Sequence, residues 1–567
     1  MKSLLKKYKL LFISVLISGY AFVSYSFVDN YFEISKNLDI FATMFRELNI
    51  YYVDETNPGD LMKKAMDDML SSLDPYTSYI PESEIEDYKY MQTGQYGGIG
   101  ALIRQDSDYV IISEPYEGYP AQKADLRAGD KILKINDVEL KGKKTDDVSK
   151  FLKGQASTSI KLLIEREGEK APIEKIINRE DIKIKSVAYS GMVAPTIGYI
   201  KLVAFTEGAA NEVKEALLNL KKNPEFKMLV FDLRDNPGGL LNEAVDIVNL
   251  FVDKGTEIVS TKGKIKDWDK IYKAINAPVD TSIPIAVLID RSSASASEIV
   301  SGAIQDLDRG IIVGQRSYGK GLVQQTRPLS YNAQLKVTVA KYYIPSGRCI
   351  QALDYSHHNE DGSVNKVADS LIFAFKTNNG RIVYDGGGVS PDVALEPIKY
   401  SNILTSLATK NWIFKYATKF RNTNPSLTAA KEFQLTDPQY NDFLAYIGDK
   451  DYDYKTKVEK TLEDLYDDAK EDKILLPLQA DIEALKNKVM HHKKDDLAKN
   501  KPEIKQFLEE EIASRYYFQK GRLESSFRSD EDLKHAINVL NDTARYQKLL
   551  TTIVKAEKPF KNTGKKN

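Results

Sequence analysis

The side chains that could most clearly take part in a chemical reaction are those of Ser295 and Lys320. Both lie in the segment VLIDRSSASASEIVSGAIQDLDRGIIVGQRSYGKGLVQ. A serine hydroxyl is a weak nucleophile and needs an adjacent base. A lysine amine acts as a base only when it is neutral, and removal from water favours its neutral form. This segment contains no histidine, so a triad based on histidine has little support. The two residue types alone are no signal, and they would fit a serine–lysine hydrolase only if the fold brings them together.

Four short apolar runs surround this pair, namely IGYIKL, MLVFDL, IAVLID and GIIVGQ. Short runs that are polar on neither face predict buried parallel strands. Amphipathic segments separate them and predict helices, so the chain from about residue 195 is expected to form an α/β domain. A further strand, LKVTVAKYYIP, is expected to follow and to end at Pro345.

The order of these elements predicts that the serine and the lysine are close in space. Ser295 lies where the strand IAVLID turns into a helix that ends near Asp306, and Lys320 lies in a glycine-flanked loop after the next strand. A right-handed crossover makes the two strands parallel, so both loops leave the same edge of the sheet. Unpaired N–H groups at the helix start can hold a developing oxyanion. The turn Gly238–Gly239, after MLVFDL, is expected at the same edge.

Simpler interpretations exist for each of these residues. A serine at a helix start is most often an N-cap, a lysine in a turn is most often a surface residue, and paired glycines can serve only as a tight turn. The stretch GQRSYGK, residues 314–320, also matches the GxxxxGK pattern of a phosphate-binding loop. Gly321 stands where that pattern needs serine or threonine, and Pro328 interrupts the helix that should follow. Nucleotide binding is therefore disfavoured.

Changes in residue pattern divide the rest of the chain. We predict a helical N-terminal region at residues 29–90, a small β-rich domain at 91–170, the α/β core at 171–400 and a helical C-terminal domain at 401–567. In the last region, Ser529 with Asp532 three residues later resembles a capping box and predicts a helix start. The C-terminal domain carries no catalytic pattern, so its helices are expected to serve packing or binding.

Composition excludes several classes of protein. The chain has 567 residues, with 80 lysines and arginines against 81 aspartates and glutamates, for a net charge of −1. Nucleic-acid binding needs a concentrated basic face, so no nucleic-acid partner is expected. The single cysteine, Cys349, rules out a disulfide framework and a multi-cysteine metal site, and the five histidines show no HExxH spacing. We expect no metal or organic cofactor, and we expect Cys349 to be a small core residue.

The N-terminus has the pattern of an export signal. A charge-free run of 19 residues, 10–28, follows four lysines, Lys2, Lys6, Lys7 and Lys9. A run of that length can span a bilayer as one helix, and no A-x-A cleavage site follows it. We therefore favour an uncleaved signal anchor over a cleaved signal peptide within residues 1–28, with the bulk of the chain outside the cytoplasm. The expected location is the periplasm or cell envelope, and residues 10–28 would anchor the chain to the inner membrane if they are retained.

Several motifs, in this order, resemble the C-terminal processing (tail-specific) serine peptidases. They are RDNPGG, DRSSASASE, GKGLVQ, PSGRCIQ and GGGVSPDV. The stretch YGGIGALI with PAQKADLRAGDKILKIN resembles the PDZ domain that this family carries before its catalytic core. The motifs cover about residues 40–395. The resemblance implies a multidomain α+β and α/β chain with a small β-rich PDZ domain, a crotonase-like α/β peptidase core with parallel strands, and helical N-terminal and C-terminal regions.

The resemblance also implies roles for single residues. Ser295 is expected as the nucleophile, Lys320 as the general base and Gln324 as a residue that positions the lysine. The simpler interpretation of Gln324 is a polar loop residue. The backbone N–H groups expected to hold the oxyanion are those of Ala296 and of Gly238 or Gly239, a choice that the sequence leaves open.

In the PDZ-like domain, Gly98–Ile99–Gly100–Ala101 corresponds to the family's carboxylate-binding loop. Consecutive backbone N–H groups there can bind a chain-terminal carboxylate while the peptide adds a strand to the sheet edge. Ala101 stands where many PDZ domains carry a bulky apolar residue. The helix TDDVSKFLKG is expected to form the other wall of the pocket, with Val148 or Phe151 facing into it.

Together these features predict an exported serine endopeptidase that binds the free C-termini of polypeptide substrates through its PDZ domain and cleaves them through an acyl-enzyme. The alternative is a non-catalytic PDZ scaffold or chaperone with a degenerate peptidase core. Retention of Ser295, Lys320 and Gln324 in matching positions argues against that alternative. The sequence leaves assembly into a homo-oligomer open.

Overall fold

The computed structural model describes residues 31–359 and 363–552, without the side chains of residues 369 and 490–494. The predicted signal segment, residues 1–28, lies outside the described residues. Among the described helices, none is long and apolar enough to cross a bilayer. The described residues fall into two compact units, which divide between Tyr79 and Ile80.

The described part of the first unit is helical. Helix α1 spans residues 31–51, and helix α2 spans Pro58–Ser71. Asn57 caps α2, because its side-chain oxygen accepts hydrogen bonds from the first N–H groups of the helix, and a proline suits the first helical position. A three-residue strand, β1, Ser78–Ile80, follows. The helical prediction for residues 29–90 did not include it, because three residues are too few to show a period.

The second unit begins with the predicted β-rich domain. Its helices are α3 (Ile85–Thr93), which follows a 3-10 turn at Glu82–Glu84, α4 (Pro120–Lys123) and α5 (Thr145–Leu152). Its strands are β2 (Gln95–Gly98), β3 (Ala101–Asp106), β4 (Tyr109–Pro115), β5 (Lys131–Ile135), β6 (Val138–Glu139), β7 (Ser159–Glu165), β8 (Ile173–Asn178) and β9 (Glu180–Lys183).

One antiparallel sheet of this domain has the order β3-β4-β5-β7-β8, with β6 beside β5, and β2 pairs with β9 separately. The sheet runs on to Asn178, past residue 170, where the sequence pattern placed the end of the domain. The boundary was placed too early because β8 is an edge strand whose charged side chains hide its alternation.

The α/β core follows. Its helices are α6 (Ala209–Lys221), α7 (Leu241–Asn249) and α8 (Ala296–Asp306). Its strands are β10 (Val187–Ala194), β11 (Ile197–Leu202), β12 (Met228–Asp232), β13 (Glu257–Gly263), β14 (Lys270–Lys273), β15 (Ile285–Ile289), β16 (Ile311–Gly314), β17 (Leu322–Pro328), β18 (Gln334–Tyr343), β19 (Leu353–His358), β20 (Val364–Lys366), β21 (Ala374–Lys376), β22 (Ile382–Tyr384) and β23 (Val393–Ala394). Two 3-10 turns, Lys266–Trp268 and Asp369–Leu371, lie between them.

A six-stranded sheet forms the centre of the core, with the order β10-β11-β12-β15-β16-β23. Neighbouring strands from β11 to β23 are parallel, whereas β10 joins the edge antiparallel to β11. The parallel prediction for the four apolar runs is therefore confirmed. Every residue of β15 and β16 is buried, because a parallel sheet is covered on both faces.

The run LKVTVAKYYIP forms strand β18, but that strand lies outside the parallel sheet. It pairs antiparallel with β17 and β13, and β13 pairs with β14, which makes a second sheet. Strand β17 begins at Leu322, two residues after Lys320, so this second sheet continues directly from the loop that carries the lysine.

The C-terminal region is helical, as predicted. Its helices are α9 (Asn402–Thr409), α10 (Trp412–Thr423), α11 (Asp437–Ile447), α12 (Lys457–Glu471), α13 (Leu475–Lys494), α14 (Asp496–Lys499), α15 (Lys501–Ser526), α16 (Glu531–Asn541) and α17 (Thr543–Thr551). The predicted cap of α16 is wrong by one residue. Asp530 is the N-cap and accepts a hydrogen bond from the Leu533 N–H, whereas the Ser529 hydroxyl donates back to the Ser526 carbonyl.

Two sets of helices cover the two faces of the parallel sheet. One face packs against α6, α7 and α8 in the largest apolar cluster of the core. The other face packs against α16 and α17, where Leu533, Leu540 and Tyr546 contact a cluster that includes Tyr199 and Leu288 of the strands. Helices of the C-terminal region are thus part of the core that holds the sheet.

We expect Asp306, the last residue of α8, to be critical for stability. Its carboxylate accepts a hydrogen bond from Arg348 at 2.8 Å, and both side chains are shielded from solvent. Breaking a buried pair leaves an uncompensated charge, so Asp306→Ala should lower the free energy of unfolding by about 3–5 kcal/mol. Urea denaturation measures the change. The exposed Asp267 provides the control, since Asp267→Ala should cost less than about 0.5 kcal/mol; equal effects of the two substitutions would contradict the prediction.

Candidate active site

The loops after β12, β15 and β16 leave the same edge of the parallel sheet and contact one another. The Ser293 hydroxyl, after β15, donates to the Leu233 carbonyl, after β12, at 2.8 Å. The Tyr318 N–H, after β16, donates to the Ser293 carbonyl at 3.0 Å. These bonds bring together the three loops that carry the glycine pair, Ser295 and Lys320.

Ser295 is the N-cap residue of α8 and has an unusual backbone conformation. Its φ of 55° and ψ of −112° are rarely adopted by a residue with a side chain. Such a conformation costs about 1–3 kcal/mol and persists only where the surroundings enforce it. Here the Ser295 N–H donates to Glu298 Oε2 at 2.8 Å, and its carbonyl accepts from the Tyr342 hydroxyl at 3.2 Å. The strained residue is therefore held from both sides.

The buried carboxylate of Glu298 accepts four hydrogen bonds. Its Oε1 accepts from the Ser317 hydroxyl at 2.6 Å and from the Gly319 N–H at 2.7 Å. Its Oε2 accepts from the N–H groups of Lys320 and Ser295, both at 2.8 Å. Burial raises the pKa of Glu298 to about 6, and the four donors act in the opposite direction. All four partners are donors, so the full set of bonds requires the ionised carboxylate.

One oxygen of Glu298 therefore ties together the two residues singled out by the sequence. The backbone nitrogens of Ser295 and Lys320 each lie 2.8 Å from it, so they are no more than about twice that distance apart. Both side chains are half-buried. A single side chain thus fixes the backbone of both residues.

Glycines on both sides of Lys320 let its loop pass close to a neighbouring segment. A Cβ on Gly319, whose φ is +91°, would lie 2.4 Å from the Cβ of Ala352. A Cβ on Gly321 would lie 2.8 Å from the Gln351 nitrogen, and the Gly321 N–H donates to Gln351 Oε1 at 2.7 Å. A side chain at either position would push the loop away and move Lys320 with it.

The glycine pair lies directly against the start of α8. A Cβ on Gly238 would lie 2.9 Å from both the Ser295 Cβ and the Ala296 nitrogen. The Gly238 N–H donates to Asn236 Oδ1 at 2.9 Å. In the part of the chain that the structure describes, no acceptor is bonded to the N–H groups of Gly239 or Ala296. Of the two glycines, Gly239 is thus the one whose N–H is available to a ligand.

Gln324 lies on β17, four residues beyond Lys320. Its side-chain amide donates to the Thr338 hydroxyl of β18 at 3.1 Å. The pairing of β17 with β18 is irregular between Val323 and Gln324. The Gln324 side chain is therefore held in place within the sheet that begins just after the lysine loop.

Two further carboxyl groups, those of Asp235 and Asp290, lie on the loops after β12 and β15. The Asp235 N–H donates to Asp290 Oδ1 at 3.1 Å. Burial and, next, repulsion from Asp290 raise the pKa of Asp235. Asp290 also accepts from the N–H groups of Ser292 and Ser293. Asp290 therefore shapes the serine loop and joins it to the glycine loop.

The segment Gly98–Ile99–Gly100–Ala101 runs from the last residue of β2 to the first residue of β3. Strand β3 is an edge strand of its sheet, and α5 packs against it. Val148 of α5 is fully buried in the domain core, whereas the Phe151 side chain is 36% exposed. Of the two residues predicted to face the pocket, Val148 contributes to the core and Phe151 lies at the surface.

The structure excludes the nucleotide-binding interpretation of residues 314–320. A phosphate-binding loop leads into a helix, whereas this loop leads into strand β17. Cys349 is half-buried, and partial removal from water raises the pKa of its thiol. Among the described residues, no group of three or more histidine, cysteine, aspartate or glutamate side chains is placed to hold a metal ion.

The sequence analysis missed two residues that organise this site. Glu298 follows Ser295 at the S-x-x-E spacing of a capping box, a signal that could have identified it. Asn236 bonds through its side chain to Gly238 and to the Leu202 carbonyl, and through its carbonyl to the Ala294 N–H. No local signal marks Asn236, because its partners come from three separate segments.

Three family models match the chain. The models are described as peptidase family S41, at residues 196–358, as a PDZ domain, at residues 111–166, and as a probable PDZ-protease C-terminal helical domain, at residues 403–540. The PDZ match falls on the β-rich domain, and the helical match falls on α9 to α16. The expected fold class, with a PDZ domain, an α/β peptidase core and a helical C-terminal region, is therefore confirmed.

Several known proteins are similar to this chain. A carboxy-terminal-processing protease of Bartonella bacilliformis is 37% identical over 321 residues, which are 56% of this chain and 73% of that protein. A probable CtpA-like serine protease of Staphylococcus aureus is 35% identical over 316 residues, 55% of this chain and 62% of that protein. Among solved structures, a photosystem II D1 C-terminal processing protease is 27% identical over 63% of this chain and 92% of that chain, with a TM-score of 0.34. From the family matches and the coverage of the Bartonella protein, we conclude that the chain belongs to the PDZ-containing carboxy-terminal-processing peptidases of family S41.

Proposed function

We propose that this chain is a serine endopeptidase in which Ser295 is the nucleophile and Lys320 the general base. The observation that carries the proposal is the shared carboxylate of Glu298, which bonds to the backbone of both residues. A serine nucleophile requires a base held beside it. The bonds to Glu298 support the proposal, because they fix the distance between the backbones of two loops that follow different strands.

In the proposed reaction, Ser295 Oγ attacks the substrate carbonyl carbon and its proton passes to Lys320 Nζ. The tetrahedral intermediate expels the amine of the C-terminal fragment, which takes that proton, and an ester remains on Ser295. Neutral Lys320 then accepts a proton from water as the water oxygen attacks the ester carbon. The second tetrahedral intermediate expels Ser295 Oγ, which takes the proton back from Lys320, and the N-terminal fragment leaves with a new carboxyl group. The base works only as a neutral amine, so its half-buried position supports the role.

The oxyanion formed in each step would accept hydrogen bonds from the N–H groups of Gly239 and Ala296. Ala296 is the first residue of α8, where the helix leaves its N–H groups unpaired. The N–H of Gly238 is already bonded to Asn236, which favours Gly239 as the second donor. The proposed role of Gly238 is a close approach to Ser295 that no residue with a Cβ could make. Gln324 is proposed to position Lys320 from β17.

We further propose that the PDZ domain binds the C-terminus of the substrate. The free edge of β3 allows a peptide to add as a further strand between β3 and α5. The terminal carboxylate would then meet the backbone N–H groups of the loop Gly98–Ile99–Gly100–Ala101. The small side chain of Ala101 leaves room beneath the last residue of the peptide, so a bulky apolar terminal residue should fit.

Amidation of the substrate C-terminus should weaken its binding. Loss of the carboxylate removes charge-assisted hydrogen bonds, so the affinity should fall about 10- to 100-fold. The measurement is calorimetric titration of the Ser295→Ala protein with a peptide ending in an apolar residue, with and without the amide. Equal affinity of the two peptides would contradict carboxylate binding.

Matched glycine variants locate the carboxylate site. Gly100 and Gly118 both have positive φ, of +72° and +82°, so valine strains both backbones. A Cβ at Gly100 would lie 2.6 Å from the Tyr119 Cβ, whereas a Cβ at Gly118 meets nothing within 4 Å. Gly100→Val should therefore abolish the preference for a free carboxylate, and Gly118→Val should keep it.

Digestion of an unfolded protein with an apolar C-terminal tail tests the whole proposal. Cleavage should be faster with a free tail than with an amidated one and should persist in EDTA, because no step uses a metal ion. Loss of cleavage in EDTA would contradict the mechanism. Binding of the tail without cleavage by the wild-type protein would favour the scaffold alternative.

We also propose that the chain is exported. The support is the order of a lysine-rich start and a charge-free run at residues 10–28. A fusion of residues 1–30 to a reporter that is active only outside the cytoplasm tests this proposal. Retention of the reporter in membranes would indicate an anchor, whereas release would indicate a cleaved signal peptide.

A further inference from the structure

Helix α16 of the C-terminal domain reaches the loop that carries the glycine pair. The contact is made by Arg234, which lies between β12 and Gly238. Its guanidinium donates to both carboxylate oxygens of Asp530, at 2.9 and 2.7 Å, and lies 3.4 Å from Asp532. The pairing with Asp530 is bidentate, which is the geometry that best fixes the orientation of an arginine. The first turn of α16 therefore holds one residue of the glycine loop in a defined position.

The same guanidinium bonds on its other side to the end of β12. Arg234 Nη2 donates to Asp232 Oδ2 at 2.6 Å, and Asp232 is fully buried. Asp232 also accepts from the Tyr199 hydroxyl at 2.6 Å, and Lys201 lies 3.5 Å away. The three acidic side chains, Asp232, Asp530 and Asp532, outnumber the two basic ones, Arg234 and Lys201. The Arg234 guanidinium pairs with all three carboxylates. Loss of the negative charge at position 530 would leave Arg234 with Asp232 as its principal partner.

Arg234 stands two residues before Asn236, which organises the rest of the loop. Asn236 Oδ1 accepts from the Gly238 N–H at 2.9 Å, and its carbonyl accepts from the Ala294 N–H at 3.1 Å and from the Ser297 hydroxyl at 2.9 Å. A shift of Arg234 is therefore passed through one short, hydrogen-bonded segment to residues on both sides of Ser295, namely the backbone of Ala294 and the side chain of Ser297.

We infer that Asp530 is a positioning residue for the peptidase site, and that the C-terminal domain completes the oxyanion-binding loop through the Asp530–Arg234 pair. This inference rests on the proposed function of Gly239 as an oxyanion donor. It gives the C-terminal domain a role in positioning the peptidase site, although the sequence of that domain carries no catalytic pattern. Asp530 does not touch the substrate; it acts through Arg234.

The substitution Asp530→Asn isolates the charge. Asp530 is also the N-cap of α16, and asparagine caps helices about as well as aspartate does. The variant therefore keeps the helix start and removes only the ion pair with Arg234. The matched control is Glu531→Gln at the next position, because Glu531 is exposed and pairs only with Lys534 among the described residues.

The first measurement is hydrogen exchange, monitored by mass spectrometry, in the full-length protein. Asp530→Asn should speed exchange of the backbone N–H groups in residues 233–240, and Glu531→Gln should leave it unchanged. This measurement needs no activity, so it stands even if Ser295 is not the nucleophile. Identical exchange in the two variants would overturn the inference.

The second measurement is steady-state cleavage of an unfolded substrate. A misplaced donor weakens transition-state binding more than substrate binding, so kcat of Asp530→Asn should fall about 10- to 100-fold with little change in KM. Asp530→Glu should recover part of the loss, because it restores the charge. A merely structural role would lower the melting temperature while kcat of the folded protein stayed at the wild-type value, and that result would overturn the inference. A wild-type protein that does not cleave, but whose variants differ in hydrogen exchange as expected, would refute the proposed function and retain the link between Asp530 and the loop.

Discussion

Ser295→Ala and Lys320→Arg should each reduce peptide-bond hydrolysis on the order of 10⁴-fold or more. Alanine removes the oxygen that forms the acyl-enzyme. Arginine keeps the positive charge and the length of the side chain but cannot lose its proton near neutral pH, so it cannot act as a base. Initial rates of cleavage of an unfolded protein, with enzyme in excess to detect slow turnover, measure both effects.

A serine in the same loop provides the matched control. Ser292 is exposed and its backbone N–H bonds to Asp290, so Ser292→Ala removes a hydroxyl without changing the loop. Its rate should equal that of the wild type within a factor of about two. A Lys320→Arg protein that retains more than a tenth of the wild-type rate would show that another group accepts the serine proton.

Among residues that contact neither the substrate nor the proton transferred between Ser295 and Lys320, Glu298 should be the one whose substitution by glutamine lowers activity most. Its carboxylate accepts four hydrogen bonds, and an amide nitrogen in place of one oxygen would face two donors. Each buried donor left without an acceptor costs about 1–3 kcal/mol, so stability should fall by roughly 2–5 kcal/mol. Activity should fall about 100-fold or more, because the same bonds fix the distance between Ser295 and Lys320.

The control for Glu298 is another glutamate in the first turn of a helix. Glu243 of α7 accepts hydrogen bonds from the N–H groups of Gly208 and Ala210, away from the serine loop. Glu243→Gln should lower stability without lowering the kcat of the folded protein. If both variants lose activity only in proportion to their unfolded fraction, Glu298 serves the fold alone.

The pKa of Glu298 also predicts opposite trends of stability and activity with pH. Burial raises this pKa to about 6, above its ordinary value of 4.5, so the folded protein binds a proton more readily than the unfolded chain. The contribution of this group to stability is therefore complete below about pH 4.5 and is lost as the pH rises through about 6. Activity should change in the opposite sense, because protonation removes an acceptor that the Ser295 and Lys320 loops require.

Urea unfolding at pH 5 and pH 7 tests whether this effect belongs to Glu298. The stabilisation of the wild type on acidification should be smaller in Glu298→Gln, which has no carboxyl group at this position. Lys320→Arg should retain the wild-type difference. An unchanged difference in Glu298→Gln would assign the titration to another group.

The sequence predicted those parts of the site that lie within one segment or follow from the order of the strands. The apolar runs predicted the parallel strands, and the crossover rule placed the loops of Ser295 and Lys320 at one edge. The residues that fix these loops were harder to find. Asn236 and Asp530 act on partners that are distant in the chain, and only tertiary contacts reveal them.

Other differences have local causes. The start of α16 was placed at Ser529 because serine and aspartate are both good N-caps and stand side by side, and spacing alone does not separate them. Strand β18 was predicted as a strand, but its sheet could not be, because a short strand pattern does not identify its neighbours. The sequence left open whether Gly238 or Gly239 is the expected oxyanion donor. The choice depends on the orientation of the Asn236 side chain, which no sequence pattern predicts.

The packing of α16 and α17 on one face of the parallel sheet affects the order in which the chain can fold during its synthesis. Helices α16 and α17 are the last described elements of the chain, yet they pack on strands that are made far earlier. Until they emerge, the apolar side chains of Tyr199, Val230 and Leu288 lack their contacts with these two helices, and Arg234 lacks Asp530. A nascent chain that has already produced Ser295 and Lys320 would therefore lack this cover and the Asp530–Arg234 pair until residues 530–551 have been made. Such an order of assembly would complete the proposed peptidase site only after the helices of the C-terminal region have been synthesised.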